Sequence, residues 1–461
     1  MFEKEVYINR RSILKSTIKQ GLILLFGNDE SPMNYPDNPY YFRQHSTFLY
    51  YFGLDIPSLA ALIDLDNDTE TVFGDELSLD DIVWTGIKPT IKEQCEQVGV
   101  NEVLPMVRLY TILREASASD RQIHILPAYR YENKIKLLRL LNIRPDQISL
   151  KSSEELVKAV ISQREIKSIV EIEEIEKAVN WTVDMHEAAI KAAKPGMKEA
   201  EISSLVTKIV LDREGYLSFP VIATTKGEIL HNHYYGNILK EGDLFLLDCG
   251  AETPMHYAGD LTSTFPVSGK FSQKQKDLYQ IVLNAHNGSA SKLEPGIPFK
   301  SIHFEAARII FDELKNLGLT KGDAEEAISE GAHALFFPTG LGHMMGLDVH
   351  DMEDLGEINV GYNGEAKSTQ FGLKSLRLAK ELKAGFVLTI EPGIYFIPEL
   401  IDIWSSEKKF DQFINYSKVK EYIGFGGIRI EQDYLITKNG YRLLGRKKPM
   451  EINEIESLRE I

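Results

Sequence analysis

Hydrophobic positions switch between a helical and a strand period along this chain, and the switching divides it. Apolar residues recur at helical spacing over 8–20, along a Lys/Arg/Leu-rich stretch ending at Leu141, and along a further stretch ending at Gln163. Short apolar runs at 21–27, 59–65, 69–73 and 123–127 predict strands, and 34–39 is a proline-rich loop. Ser152-Ser153-Glu154-Glu155 is an N-cap signal for the last of these helices. Helices interleaved with strands read as a small α/β domain, and the charged run 163–167 marks its end. The expected domains are therefore 1–165 and 166–461.

The second domain opens on a long helical pattern, 168–193, stopped by Lys194-Pro195-Gly196 and followed by a helix over 198–214. After a strand-rich region the arrangement recurs as 273–293 and 299–317, with Pro295-Gly296 between them. Ala192-Ala193-Lys194-Pro195-Gly196-Met197 set against Lys292-Leu293-Glu294-Pro295-Gly296-Ile297 hints at an internal duplication of two helices plus strands.

The strands of this domain carry acids. The apolar run Leu244-Phe245-Leu246-Leu247 leads into Asp248-Cys249, and Thr262 and Thr264 are in phase with Asp260 on a second strand. Glu252-Thr253-Pro254-Met255 reads as the turn between them, and a regular hairpin centred on Pro254 sets Asp248 opposite Asp260. Directly opposed residues have Cβ atoms ~4.5–5.5 Å apart, where like charges repel, so a cation is expected there. Glu391 ends the run Phe386-Val387-Leu388-Thr389-Ile390 ahead of Pro392-Gly393, and Glu431 shares a strand face with Arg429. His343 lies among Gly340, Gly342 and Gly346, whose backbone freedom would let the imidazole be aimed irregularly. Taken singly, these read as turn acids and a hydrogen-bonded histidine. Together, four carboxylates and an imidazole suit Mn²⁺, Co²⁺ or Zn²⁺. Two such ions about 3.5–4 Å apart can hold a hydroxide and clamp a tetrahedral intermediate.

In the contexts LLDCGAE, YAGDLTSTFP, PTGLGHMMGLDVHD, LTIEPGIYF and GIRIEQD, the chain resembles the pita-bread metallopeptidases, and within them the proline-specific branch of Xaa-Pro aminopeptidases and dipeptidases. The match runs from Ile166 to Leu444, and Phe42-Arg43-Gln44-His45-Ser46-Thr47-Phe48-Leu49-Tyr50-Tyr51-Phe52-Gly53 is similar to the N-terminal domain that both enzymes carry. The resemblance implies an α+β fold: a curved antiparallel sheet flanked by helices with a pseudo-twofold, beside a smaller N-terminal α/β domain. It implies two divalent ions per chain, Mn²⁺ foremost, with Asp248 on one, Asp260 and Glu431 bridging, and His343 with Glu391 on the other. It also implies that Glu391 shuttles the proton of the attacking water. His231 matches a histidine near the substrate's N-terminal end, and His350 one that steadies the scissile carbonyl. Arg377 and Arg429 are expected at the substrate, Arg377 because an arginine there receives a dipeptide's carboxylate in the dipeptidases.

Three departures bear on specificity. Thr339 stands where the family usually has a histidine, which touches an outer contact to substrate rather than the metals. The span from Asp248 to Asp260 is one residue longer than usual. Ser375-Leu376-Arg377 and the insertion 398–421 are closer to the dipeptidases. The reading adopted is an Xaa-Pro aminopeptidase, with Xaa-Pro dipeptidase as the alternative. A non-catalytic binding protein on the same fold and a phosphotriesterase are more distant ones.

Composition narrows the partners. The length of 461 residues exceeds one typical core, which agrees with two domains, and 43% hydrophobic content is that of a globular chain. A net charge of −16 argues against nucleic acid and anionic membranes. The resemblance implies proline-containing peptides as partners, with further copies of the chain in a homodimer or higher homo-oligomer. Cys95 and Cys249 make no disulfide framework, which suits a cytoplasmic location, and Cys249 should face away from the metals. The apolar run nearest the charged N-terminus, 21–27, is too short for a signal or a membrane span.

Overall fold

In the computed structural model, which describes residues 1–459, the chain falls into two units. One comprises Met1–Arg164 with Met352–Asn359; the other comprises Glu165–Asp351 and the chain from Val360 onward. Met352–Asn359 thus groups with the first unit, where Asp354 lies 3.4 Å from His45.

The first unit is built on a five-stranded sheet in the order Glu102–Leu104, Thr69–Phe73, Ala60–Asp64, Leu22–Phe26, Ile123–His124. The outer pairings are parallel and the two around Ala60–Asp64 antiparallel. Leu22, Leu24, Leu62 and Phe73 pack one face against Leu109 and Leu113 of the helix Met106–Ala118 and Leu137 of Tyr131–Leu141. The last expected strand shortens to Ile123–His124, because the Ile125 carbonyl instead accepts the Ser153 N–H at 2.9 Å, at the start of Glu154–Arg164. The helix Leu79–Thr85 has no counterpart in the expected pattern. It buries no residue, and Trp84 is 86% exposed, so no apolar face marks it. Gly53 closes the helix Ser46–Phe52 in the left-handed region, φ 63°, with the Tyr7 ring where a Cβ would sit.

The second unit repeats itself. Helices Ile169–Ala192 and Glu199–Leu211 are answered by Gln273–Ala290 and Phe299–Asn316. Gly196 and Gly296, at φ 92° and 87°, donate to the carbonyls of Leu239 and Leu382 at 2.9 and 2.8 Å. Those leucines donate back to Met197 and Ile297. Gly242 and Gly385, again with positive φ, then introduce the strands Leu244–Cys249 and Val387–Ile390. Asp248-Cys249-Gly250 and Glu391-Pro392-Gly393 therefore occupy equivalent places at the ends of equivalent strands.

Leu244–Cys249 lies between Leu261–Pro266 and Ile222–Thr224, while Gln432–Thr437 lies between Val387–Ile390 and Gly440–Leu443. The two halves meet along a seam. There the Glu431 N–H donates to the Thr262 carbonyl at 3.2 Å, and the Thr264 hydroxyl exchanges hydrogen bonds with the Arg429 backbone.

Candidate metal centre

Asp248 does not face Asp260. Its partner in the antiparallel register is Thr262. Glu252 bridges Ala258, and the Thr253 N–H donates to the Tyr257 carbonyl at 3.0 Å, so the hairpin turns about Met255 rather than Pro254. The cause is a three-residue loop whose last member, His256, is left-handed at φ 66°, a conformation that no glycine or asparagine announces. Asp260 and Thr262 are two apart on one strand, so Asp260 still shares the face of Asp248, as a diagonal neighbour.

The other predicted ligands converge on this face. Asp260, His343 and Glu431 offer ligand atoms that all lie within 4.8 Å of one another. His343 Nε2 is 3.4 Å from Asp260 Oδ2 and 3.5 Å from Glu391 Oε1. Its Nδ1 is 3.1 Å from the Met344 carbonyl, a contact that orients the ring with Nε2 toward the acids. The backbone here runs beside Val387–Ile390: Thr389 N–H donates to the His343 carbonyl at 3.1 Å and Glu391 N–H to Leu341 at 2.8 Å. Gly342 serves this close approach, while Gly340 makes room for Ser375-Leu376 and Gly346 for the Asp351 side chain. A Cβ on Gly342 would meet the Thr389 carbonyl oxygen at 2.1 Å, and none of Gly340, Gly342 and Gly346 has a positive φ.

Arg429 departs from its expected place. Its guanidinium gives Nη2 to Asp248 Oδ2 at 2.5 Å, Nη1 to the Tyr395 hydroxyl at 2.8 Å and Nε to the Thr262 hydroxyl at 3.2 Å. At 4% exposure it holds a candidate ligand. The Thr262 hydroxyl in turn donates to Glu431 Oε2 at 2.7 Å, so Thr262 and Tyr395 belong to the centre although only the phase of Thr262 signalled it. The His350 ring meets that of His343 edge-on, with centroids 4.4 Å apart. His231 stands exposed at the rim. Partial desolvation lowers its pKa first, then the positive charges of Arg429 and Arg377, against the opposing pull of Asp248. Arg377 is half-buried, and its charge also bears on Glu391.

The metal-free acids are held away from their ordinary charge state. Burial, followed by mutual repulsion, lifts Asp260 and Glu431 well above the usual carboxylate range, and burial lifts Glu391 as well. Asp433, two residues beyond Glu431, is raised in the same way; its Oδ2 accepts the Asp260 N–H at 3.0 Å. Its signal in the sequence was period-two alternation from Arg429 and Glu431, at the last position of GIRIEQD. Asp248 Oδ1 and Asp260 Oδ1 are buried without a hydrogen-bond partner. Orphaned buried oxygens are rare because they forfeit their hydration. A divalent ion is the partner this oxygen-rich set with one imidazole fits. Cys249 lies on the opposite side, buried, with its sulfur 3.5 Å from His186 Nε2.

Among the described residues, no helix is long and apolar enough to cross a membrane. The sequence profile of metallopeptidase family M24 matches residues 173–438, and that of the aminopeptidase P N-terminal domain matches 7–125. The Xaa-Pro dipeptidase of Homo sapiens is 30% identical over 95% of this chain and 88% of its own length. A probable Xaa-Pro aminopeptidase of Fusarium vanettenii is 31% identical over 92% and 88%. Zinc-substituted aminopeptidase P of E. coli, solved with product, matches with a TM-score of 0.80 at 27% identity, covering 99% of this chain and 98% of that one. Proline aminopeptidase P II of Yersinia pestis matches with a TM-score of 0.81 at 27% identity over the whole of both chains. With the profile spanning the repeated halves and their acids, the chain belongs to metallopeptidase family M24, in its group of Xaa-Pro aminopeptidases and dipeptidases, and has their pita-bread fold behind an aminopeptidase P N-terminal domain.

Proposed function

We propose that this chain is an Xaa-Pro aminopeptidase, releasing the first residue of peptides that carry proline second. It would use two divalent ions, Mn²⁺ foremost, held by Asp248, Asp260, His343, Glu391 and Glu431. The observation that carries this reading is the meeting of Asp260, His343 and Glu431 within 4.8 Å, beside buried carboxylate oxygens that have no partner. When bound, the ions supply Lewis acidity and make water a nucleophile at neutral pH.

The chain's own groups do the rest. Glu391, which keeps some solvent exposure, accepts a proton from the attacking water and passes it to the proline nitrogen. That nitrogen belongs to a tertiary amide and must be protonated to leave. His350, oriented against His343, donates to the carbonyl oxygen as negative charge develops on it. His231 at the rim receives the amino-terminal end of the peptide. Arg429 and Thr262 hold Asp248 and Glu431 in position. The domain limits 1–165 and 166–461, a cytoplasmic location and a homo-oligomeric state belong to the same reading.

A dipeptidase is the second reading, favoured by Arg377, whose charge acts on both His231 and Glu391. Turnover of an Xaa-Pro dipeptide and an Xaa-Pro-Yaa tripeptide by the Mn²⁺-loaded protein decides between them. The aminopeptidase reading expects the tripeptide to be cleaved at least as well. If Arg377 receives a terminal carboxylate, Arg377→Met should lower kcat/KM for the dipeptide selectively, by roughly ten- to a hundredfold, the scale of one charge-assisted hydrogen bond. Cleavage confined to the dipeptide would replace the aminopeptidase reading with the dipeptidase one.

A further inference from the structure

Lys448 is buried to 1% exposure in the stretch that follows the last strand of the second unit. Its ammonium donates to the Thr262 carbonyl and, at 3.0 Å, to the Ser263 hydroxyl. Among the described residues, no carboxylate stands within ion-pair distance of it. Burying an unpaired ammonium costs several kcal/mol, so some return for it is expected.

Local hydrogen bonding does not provide that return. The Thr262 carbonyl also accepts the Glu431 N–H at 3.2 Å, and the Ser263 hydroxyl also meets His186 Nδ1 at 2.9 Å. Replacing Lys448 by an apolar residue of similar length would leave neither acceptor stranded.

What the ammonium touches is the residue on which the centre is strung. Thr262 faces Asp248 in register, follows Asp260 by two positions on the same face, and places its hydroxyl between Arg429 and Glu431. Ser263 points to the opposite face, where Lys448 meets it. We propose that Lys448 is a positioning residue, pinning the Thr262 peptide from behind its strand so that Asp260 and the Thr262 hydroxyl are presented to Glu431 at a fixed spacing. The inference rests on the metal reading above. It assigns the effect to the hydrogen bond; the field of the charge, which also reaches Glu431, Asp433 and Asp248, is the alternative that the variants separate.

Two variants test it: Lys448→Met removes both donor and charge, while Lys448→Gln keeps an uncharged N–H donor that is one bond shorter. Metal-free Lys448→Met should melt at or above the temperature of the parent, as buried charges replaced by apolar groups commonly do. By calorimetry it should bind Mn²⁺ about ten- to a hundredfold more weakly, the range for outer partners of metal ligands. Lys448→Gln should recover most of that affinity. Parental affinity in Lys448→Met overturns the proposal, and so does a loss that Lys448→Gln fails to recover, which would assign the effect to charge. If Lys448→Met does not fold, Lys448→Gln decides: near-parental affinity supports the pin, and about a tenfold or greater loss overturns it. Failure of the metal reading itself would show separately, as no stoichiometric Mn²⁺ binding by the parent protein.

Discussion

Arg429 Nη2 lies 2.5 Å from Asp248 Oδ2, a buried ion pair that joins residues 181 positions apart inside a cluster of acids. Removing one partner of such a pair leaves an uncompensated charge, typically worth about 3–5 kcal/mol. Arg429→Met should therefore lower the unfolding free energy of the metal-free protein by about that amount, measured in urea. Saturating Mn²⁺ should recover part of the loss, because a cation then compensates Asp248. An equal loss with and without Mn²⁺ would remove Asp248 from the metal centre.

Metal binding should release protons. Asp260, Glu431 and Glu391 have raised pKa values in the metal-free fold, so these groups retain protons to higher pH than ordinary carboxylates and must give them up to bind a cation. Apparent Mn²⁺ affinity should keep rising with pH above the ordinary carboxylate range, and calorimetry in buffers of different ionisation enthalpy should report net release. Glu431→Gln should lower bound metal and activity together. Full activity with two metals bound to that variant would remove Glu431 from the bridge.

The His350 ring meets the edge of His343, a candidate ligand. His350→Ala should reduce kcat by about 10²–10³, the scale of losing one donor to a developing oxyanion. Metal content, measured by elemental analysis, should stay at the parental level. Loss of metal would make His350 a ligand.

Acid should destabilise the fold through histidines far from the acids. Among the described residues, His303 and His333, with rings 6.2 Å apart, have no hydrogen-bond partner for any ring nitrogen, and burial pushes them down to about 3 and about 4. In the unfolded chain each titrates near 6.5, so between about pH 4 and 6.5 the unfolded state binds more protons than the folded one. Their contribution is complete above pH ~6.5 and is lost as the pH falls. In metal-free protein, the His303→Leu/His333→Leu double variant should flatten the dependence of unfolding free energy on pH by up to about two protons across that window. The raised carboxylates act equally in both proteins and cancel in the comparison. An unchanged slope would refute the depressed values.

Asp248 and Glu391 were legible because each interrupts an apolar run at its end, where a core strand has no other use for an acid. The long helices of the second unit were legible for the same reason of pattern, since each buries one face. Lys448 was not legible: Arg446-Lys447-Lys448-Pro449 reads as a solvated basic run, and only tertiary packing buries its third member. Arg429 shared a face with Glu431 as the alternation required, but alternation cannot say whether a face meets substrate or Asp248. The hairpin register escaped because it depends on His256 adopting a left-handed conformation. The glycines around His343 misled in cause, since room for a neighbouring carbonyl and flexibility look alike in sequence.

The seam between the repeated halves has a consequence for synthesis. The chain emerges amino-terminus first, so the Asp248 and Asp260 hairpin is complete long before Arg429 and Glu431 leave the ribosome. During that interval its acids have neither their guanidinium nor the ligand from the other half, and closing so long a loop is entropically slow to be rewarded. The full set of candidate ligands exists only once Glu431 has emerged. A truncated product ending before the seam would lack the half that buries Asp248 and Asp260, leaving the apolar strands around them uncovered and open to proteolytic clearance. The proposed site therefore assembles only after both repeated halves have been made.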